Sequence, residues 1–289
     1  MRLFCCVLLA AVTALLGAGC SSGSPVPVSY YLSLGDSLAV GVQPDANGAS
    51  VPTEDGYADQ LYATLRPSHP GLRLVKLGCL GETTSSMVSG GKCRYRGGSQ
   101  LAAALAFLRA HQGHVFLVTL DIGANDPEHC LSLATAGSLG SALSCIQSVF
   151  SGASGNLTTI VSRLHTAAGS GTKMVGMNYY LPALGEWRSG MLGQEVARLI
   201  AQLTSSYNKQ LESVYRQYSV PVADVFGAFA TLDFGNPRPV AGLGMLPHNV
   251  ALICQLTWEC APPPRGPNQH ANRAGYAVIA SAFARAGGV

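Results

Sequence analysis

Four short motifs in this chain carry side chains suited to acyl transfer. Ser37 stands in Gly35-Asp36-Ser37, directly after the apolar run Val28–Leu34. A serine hydroxyl is a weak nucleophile at its free pKa and needs an adjacent base. His270, in Asn268-Gln269-His270-Ala271-Asn272, can supply one, because imidazole changes charge near neutral pH. Attack on an acyl carbonyl passes through a tetrahedral oxyanion that requires preorganised donors. Three donors are candidates: the backbone N–H of Ser37, the backbone N–H of Gly81 in Gly78-Cys79-Leu80-Gly81-Glu82-Thr83-Thr84, and the side-chain amide of Asn125 in Asp121-Ile122-Gly123-Ala124-Asn125-Asp126. Gly81 lets the backbone approach closely because it has no Cβ. Alone, each motif is an ordinary turn or cap sequence. The other histidines (His69, His111, His114, His129, His165 and His248) fall in helical or loop contexts and read as surface groups.

Placement turns the motifs into a site. Val28–Leu34, Leu72–Leu77, Val115–Ile122, Lys173–Met177 and Val220–Val225 read as strands. Between them, Gln100–Ala110 places Leu101, Leu105 and Leu108 at helical spacing, and Glu195–Tyr218 gathers Val196, Leu199, Ile200, Leu203, Tyr207, Leu211 and Val214 on one face. Asn272–Ala286 is a terminal amphipathic helix with Tyr276, Ile279 and Phe283 spaced for burial. This alternation predicts a mostly parallel sheet covered on both faces. The segments that follow parallel strands emerge on one edge, so the first three motifs converge although they are far apart in sequence. Phe234–Pro267, rich in Gly and Pro, is expected to form a long, disulfide-clipped loop.

With no internal repeat and no second-domain linker, one catalytic domain is expected over 28–289, after a targeting segment at 1–20 and a Ser/Gly/Pro spacer at 21–27. Arg2 is a minimal positive leader charge. The apolar stretch Leu3–Leu16 is too short to span a bilayer comfortably. Leu16-Gly17-Ala18-Gly19-Cys20 resembles a bacterial lipoprotein cleavage site, with its Leu one residue further from the Cys than usual. Export is expected, with two outcomes left open: membrane attachment through lipid on Cys20, or plain secretion after cleavage near Ala18 to Ser24. The net charge of +3 is spread without runs and lacks the clustered footprint of nucleic-acid binding. No CxxC pair or Cys/His cluster points to a metal, and no metal or organic cofactor is expected. Besides Cys5, Cys6 and Cys20, six cysteines remain, which suits disulfides in an exported chain. They allow 15 pairings. The sequence-local couples Cys79–Cys93, Cys130–Cys145 and Cys254–Cys260 are expected, each stabilising by roughly 2–3 kcal/mol in the chain-entropy description. A monomer is expected.

The order Gly-Asp-Ser-Leu, Gly with Thr two residues on, Gly-x-Asn-Asp, and a His near the C-terminus resembles the SGNH hydrolase superfamily, the GDSL lipases and esterases. The resemblance spans about Tyr30 to Ala286. It is nearest to the exported, disulfide-bearing SGNH esterases of actinobacteria, through Gly-Cys-Leu-Gly-Glu-Thr-Thr, Gly-Gly-Lys-Cys, Asp-Ile-Gly-Ala-Asn-Asp and Thr-Trp-Glu-Cys. It implies a three-layer α/β/α, flavodoxin-like fold, with Ser37 as nucleophile, Gly81 and Asn125 as oxyanion donors and His270 as base. It implies a carboxylic ester substrate, with lipid or short acyl esters ahead of O-acetylated cell-envelope carbohydrate. One departure stands out. The family usually carries an Asp two or three residues before the His, where this chain has Asn268 and Pro267. A carbonyl acceptor from either would make a Ser–His dyad, with Asp224, Asp233 and Glu259 as more distant alternatives. The missing Asp also leaves open a weakly catalytic surface lipoprotein that binds acylated glycans or lipids. Asp36 and Asp126 read as ties for their loops. Tyr179, Tyr180, Leu181, Pro182 and Trp187 either line an acyl pocket or pack within the fold.

Overall fold

A computed structural model describes residues 27–127, 130 and 139–289. The segment 1–20 with Cys5, Cys6 and Cys20, the spacer up to residue 26, and His129 lie outside the described residues. The core is a five-stranded parallel sheet of β1 (Ser29–Gly35), β4 (Leu72–Lys76), β5 (Val115–Asp121), β6 (Lys173–Met177) and β7 (Val222–Ala223). Its order is β4-β1-β5-β6-β7. The order reverses between β1 and β5, and in doubly wound sheets that point opens a crevice at the carboxyl ends of the strands. The same two strands are covered on both faces, which explains their near-continuous apolar reading: Tyr31, Leu32 and Leu34 in β1 and Leu117, Val118 and Leu120 in β5 are all buried. A short antiparallel ladder of β2 (Gln43–Pro44) and β3 (Ser50–Val51) follows the β1 loop.

Helices cover the sheet in two layers. α1 (Tyr57–Leu65) packs beside the terminal helix α8 (Arg273–Gly287), where Tyr57 stacks on Phe283. α2 (Thr84–Ser89), α3 (Gln100–Ala110), α4 (Leu139–Ala168) and α5 (Met191–Gln217) form the other group. α5 starts one turn before the expected Glu195, because Gly190, at φ +85°, lets the chain reverse out of the 3-10 helix Pro182–Ser189. α4 buries Ala153, Leu157, Ile160, Val161, Leu164 and Ala168 along one stripe.

Two expectations need correction. The strand predicted over Val220–Val225 shrinks to the two residues of β7. Asp224 then accepts the Gly227 N–H at 2.8 Å and caps a short helix, α6 (Val225–Ala228). Nor is Phe234–Pro267 one long loop. It holds a hairpin of β8 (Arg238–Val240) and β9 (Gly244–Leu246), turned through Gly242 at φ +74°, and the helix α7 (His248–Leu256), which buries Val250, Ala251 and Ile253. The abundance of Gly and Pro across that window masked a short apolar period inside it.

Disulfides join Cys79 to Cys93, Cys130 to Cys145 and Cys254 to Cys260, with 14, 15 and 6 residues of separation. Among the described residues no helix is long and apolar enough to cross a membrane.

Candidate active site

The nucleophile loop begins where β1 ends. Gly35 has φ +137°, and a Cβ there would collide with the Asp121 carbonyl oxygen of β5, so only glycine lets the two strands close up at this point. The Asp36 N–H then donates to that same carbonyl at 3.0 Å. The Asp36 carboxylate accepts the Leu38 N–H at 3.0 Å and bends the chain around Ser37. Val42 N–H donates to the Ser37 carbonyl at 3.0 Å, and Tyr276 of α8 donates to the Val42 carbonyl at 2.8 Å. Ser37 is left 6% exposed at the carboxyl edge of the sheet.

The second loop is drawn to the first through Cys79, whose N–H donates to the Gly35 carbonyl at 3.1 Å and whose sulfur is bonded to Cys93. Gly81 follows at φ +72°. Thr83 caps α2 in a reciprocal capping box with Ser86. The third loop leaves β5. Asn125 donates from Nδ2 to the Glu82 carbonyl at 2.9 Å. Asp126 accepts from both the backbone N–H (2.9 Å) and the hydroxyl (2.5 Å) of Thr84. Tyr207 of α5 anchors Gly123 from beneath at 2.9 Å.

The fourth piece is the strap before α8. Its backbone pairs with the end of α7 through Trp258 N–H to the His270 carbonyl, 3.0 Å, and Asn272 caps α8. Tyr180 donates its hydroxyl to the Gln269 carbonyl at 3.0 Å. His270 is 5% exposed, with Nδ1 2.8 Å from Asn268 Oδ1. That oxygen also receives the backbone N–H of His270 at 3.0 Å, while Asn268 Nδ2 donates to Ser50 Oγ at 3.2 Å. A backbone N–H can only donate, so it fixes which end of the amide is oxygen. An amide oxygen can only accept, so Nδ1 carries the proton and Nε2 carries the lone pair. Nε2 is buried and has no hydrogen-bond partner among the described residues. Burial pushes the imidazole pKa down to about 4, which keeps it neutral at neutral pH.

Asn268, rather than the Pro267 carbonyl, therefore supplies the acceptor behind the imidazole. None of the distant carboxylates does. Asp233 pairs with His248 at 2.9 Å, Asp224 caps α6 and binds Asn178, and Glu259 packs against Gly185. Tyr179, Tyr180 and Leu181 are buried, Tyr180 stacks on Phe229, and Trp187 lies against Phe234 and Arg198.

Two residues at the site, Asp121 and Gln100, reveal their partners only in three dimensions. Asp121 lies under the nucleophile loop, with Oδ2 3.3 Å from the Asp36 N–H and Oδ1 accepting the Tyr57 hydroxyl at 2.5 Å. Burial, and then the charge of Asp36, push its pKa well above the carboxylate range; burial raises Asp36 to about 6. Gln100 is fully buried between the first two loops. Its only signal in the sequence is a polar side chain on the apolar face of its helix.

This sheet and these four loops agree with what comparison with other proteins finds. The chain belongs to the GDSL-like lipase/acylhydrolase family, whose model matches residues 33–278. It is accordingly a carboxylic ester hydrolase of the SGNH kind. The fold resembles that of LAE5, an α/β hydrolase enzyme from the metagenome of Lake Arreo, Spain, at 20% identity and a TM-score of 0.52, covering 91% of this chain and 96% of that one. It also resembles Axe2, an acetylxylan esterase from Geobacillus stearothermophilus, at 15% identity and a TM-score of 0.54, with the same coverage of both chains. No curated protein matches the chain.

Proposed function

We propose that this chain is an exported serine esterase that works through a Ser37 acyl-enzyme with His270 as its base. The observation that carries the reading is the state of His270: neutral, with its proton on Nδ1 held by Asn268 and a buried lone pair on Nε2 without a partner among the described residues. Ser37 Oγ forms a bond to the ester carbonyl carbon as its proton passes to Nε2. The carbonyl electron pair becomes an oxyanion, received by the N–H groups of Ser37 and Gly81 and by the Asn125 amide. Collapse breaks the ester C–O bond, and the alcohol leaves with the proton from Nε2. Water then repeats the sequence on the acyl-enzyme, giving up a proton to His270, and the carboxylic acid departs as Ser37 recovers its own. Asn268 holds the ring and its tautomer throughout.

Lipid or short acyl esters are the favoured substrates, with O-acetylated envelope carbohydrate as the competing class; the likeness to an acetylxylan esterase makes acetyl-xylan a natural comparison. The leader-like segment and the three disulfides support export. Mass spectrometry of the mature N-terminus separates lipid on Cys20 from simple cleavage. For the mechanism, a fluorophosphonate probe should label wild type on Ser37, fail on Ser37→Ala, and react far more slowly with His270→Ala. A folded wild type that neither labels nor hydrolyses nitrophenyl acetate would sink this reading and favour a binding protein on the same scaffold.

A further inference from the structure

We propose that Gln100 is a positioning residue that fastens the nucleophile loop to the oxyanion loop, acting as a surrogate peptide group where β4 has run out. The proposal rests on the reading of Ser37 as nucleophile. β4 pairs with β1 only as far as Ser33 opposite Lys76, whereas β5 continues to Gly35 opposite Asp121. Beyond Lys76 the Cys79 N–H still reaches the Gly35 carbonyl at 3.1 Å, but the Gly35 N–H, immediately before the Asp36-Ser37 turn, is left to a side chain. Gln100 fills that place. Its Oε1 accepts the Gly35 N–H at 2.7 Å and its Nε2 donates to the Gly35 carbonyl at 2.9 Å. One side-chain amide thus takes the Gly35 N–H and shares the Gly35 carbonyl with the Cys79 N–H.

The same Nε2 lies 3.0 Å from Glu82 Oε2 and 3.2 Å from the Tyr95 hydroxyl, which itself donates to the Leu77 carbonyl. Glu82 is buried, directly follows Gly81, and accepts the Ser86 hydroxyl on its other oxygen. Its main-chain carbonyl receives Asn125 Nδ2. A bonded path therefore runs from Gly35 through Gln100 and Glu82 to Asn125, joining the loops of all three proposed oxyanion donors. Local sequence sets Gln100 up for this. Gly97 and Gly98, both at left-handed φ, swing the chain round, and Ser99 caps α3 so that Gln100 leaves its first turn on the buried side. Only Gln and Asn offer one acceptor and two donor hydrogens on a neutral planar group, and Asn is one methylene shorter.

The test compares Gln100→Leu and Gln100→Glu with wild type. In Gln100→Leu, kcat and the fluorophosphonate labelling rate should fall about 100-fold, as expected when reacting groups are misplaced by about 1 Å, with KM little changed. Amide exchange should quicken together at Gly35–Ser37 and at Gly81-Glu82. Gln100→Glu supplies a pH readout that a merely structural role would not move. Around residue 100 the titratable groups are Glu82 and Tyr95 in direct contact and Asp36 and Asp121 across Gly35. The carboxyl group that Gln100→Glu introduces repels Glu82 and donates to nothing when ionised, whereas its protonated form again accepts from Gly35 and donates one hydrogen. The kcat of this variant, taken as a ratio to wild type at the same pH, should therefore rise as the pH is lowered. A folded Gln100→Leu with wild-type kcat and unchanged exchange overturns the proposal. So does a Gln100→Glu ratio that stays flat with pH, which also covers the case in which the leucine variant does not fold. Wild type that fails to label overturns the Ser37 reading instead, and the exchange measurement then decides the clamp alone.

Discussion

Around Ser37, three loops share carboxylates and amides in bonds that back one another up, while around His270 a single neutral amide sets the ring. On the first side, Asp121, Glu82, Asp126 and Gln100 each tie one segment to another, and Asp36 braces its own loop. On the second, among the described residues, Asn268 alone accepts from the imidazole. The contrast separates two physical tasks. Oxyanion donors must be held rigidly and at fixed spacing, which favours a redundant network in a dry site. A base needs a defined tautomer, which one acceptor of the right kind can provide, and a pKa below the working pH, which burial provides here.

The comparison breaks most readily on the His270 side. Asn268→Leu should leave the fold intact and lower kcat by about 10²–10⁴, since a base released to the wrong tautomer in a serine protease costs about 10⁴. Steady-state turnover of nitrophenyl acetate checks this, and a loss below tenfold would mean that something other than Asn268 orients the ring. The pH profile sharpens the contrast next. The wild-type acid limb of kcat/KM should fall near pH 4, where the buried imidazole gains its proton. Asn268→Asp places a carboxylate beside Nδ1, favours the imidazolium, and should move that limb upward; an unmoved limb would count against His270 as the titrating base. The smallest effect belongs to the networked side. Asp126→Asn weakens the ties to Thr84 but leaves Asn125 bonded to Glu82, so kcat should drop by no more than about tenfold, the equivalent of one hydrogen bond. A loss as large as that of Asn268→Leu would erase the claimed redundancy.

The strands and the four motifs were legible because burial on both faces writes apolar runs, and loops at a parallel sheet's edge carry small residues. The partners behind them were not. Gln100 reaches Gly35 across 65 residues, and Tyr57 reaches Asp121 across 64. Neither contact leaves a period or a spacing to read. α4 escaped notice for a different reason. Gly140, Gly152 and Gly155, with many Ser and Thr, depress its intrinsic helicity, and only the stripe from Ala153 to Ala168, packed on its neighbours, holds it as a helix. The departure at Asn268 was visible, but the acceptor was open between Asn268, Pro267 and the more distant Asp224, Asp233 and Glu259. The bond from His270 Nδ1 to Asn268 Oδ1, which chooses among them, exists only in three dimensions.

The raised pKa of the buried Asp121 has a consequence for the whole molecule's titration. The formal charge of +3 counts every carboxylate as ionised. In the range between the ordinary carboxylate pKa and its own raised value, Asp121 keeps its proton in the folded chain and surrenders it on unfolding. Within that range the native protein carries one unit of charge more than full ionisation of its carboxylates would give, which electrophoresis can read. Its unfolding in that range sheds a proton from this site, so calorimetric heats of unfolding should depend on the ionisation enthalpy of the buffer. The contribution of this carboxyl to stability is complete in acid below the unfolded value and declines as the pH climbs through the folded one. His270, with its lowered pKa, has the opposite linkage: it favours the native state above about pH 6.5 and loses that contribution as the pH falls toward 4.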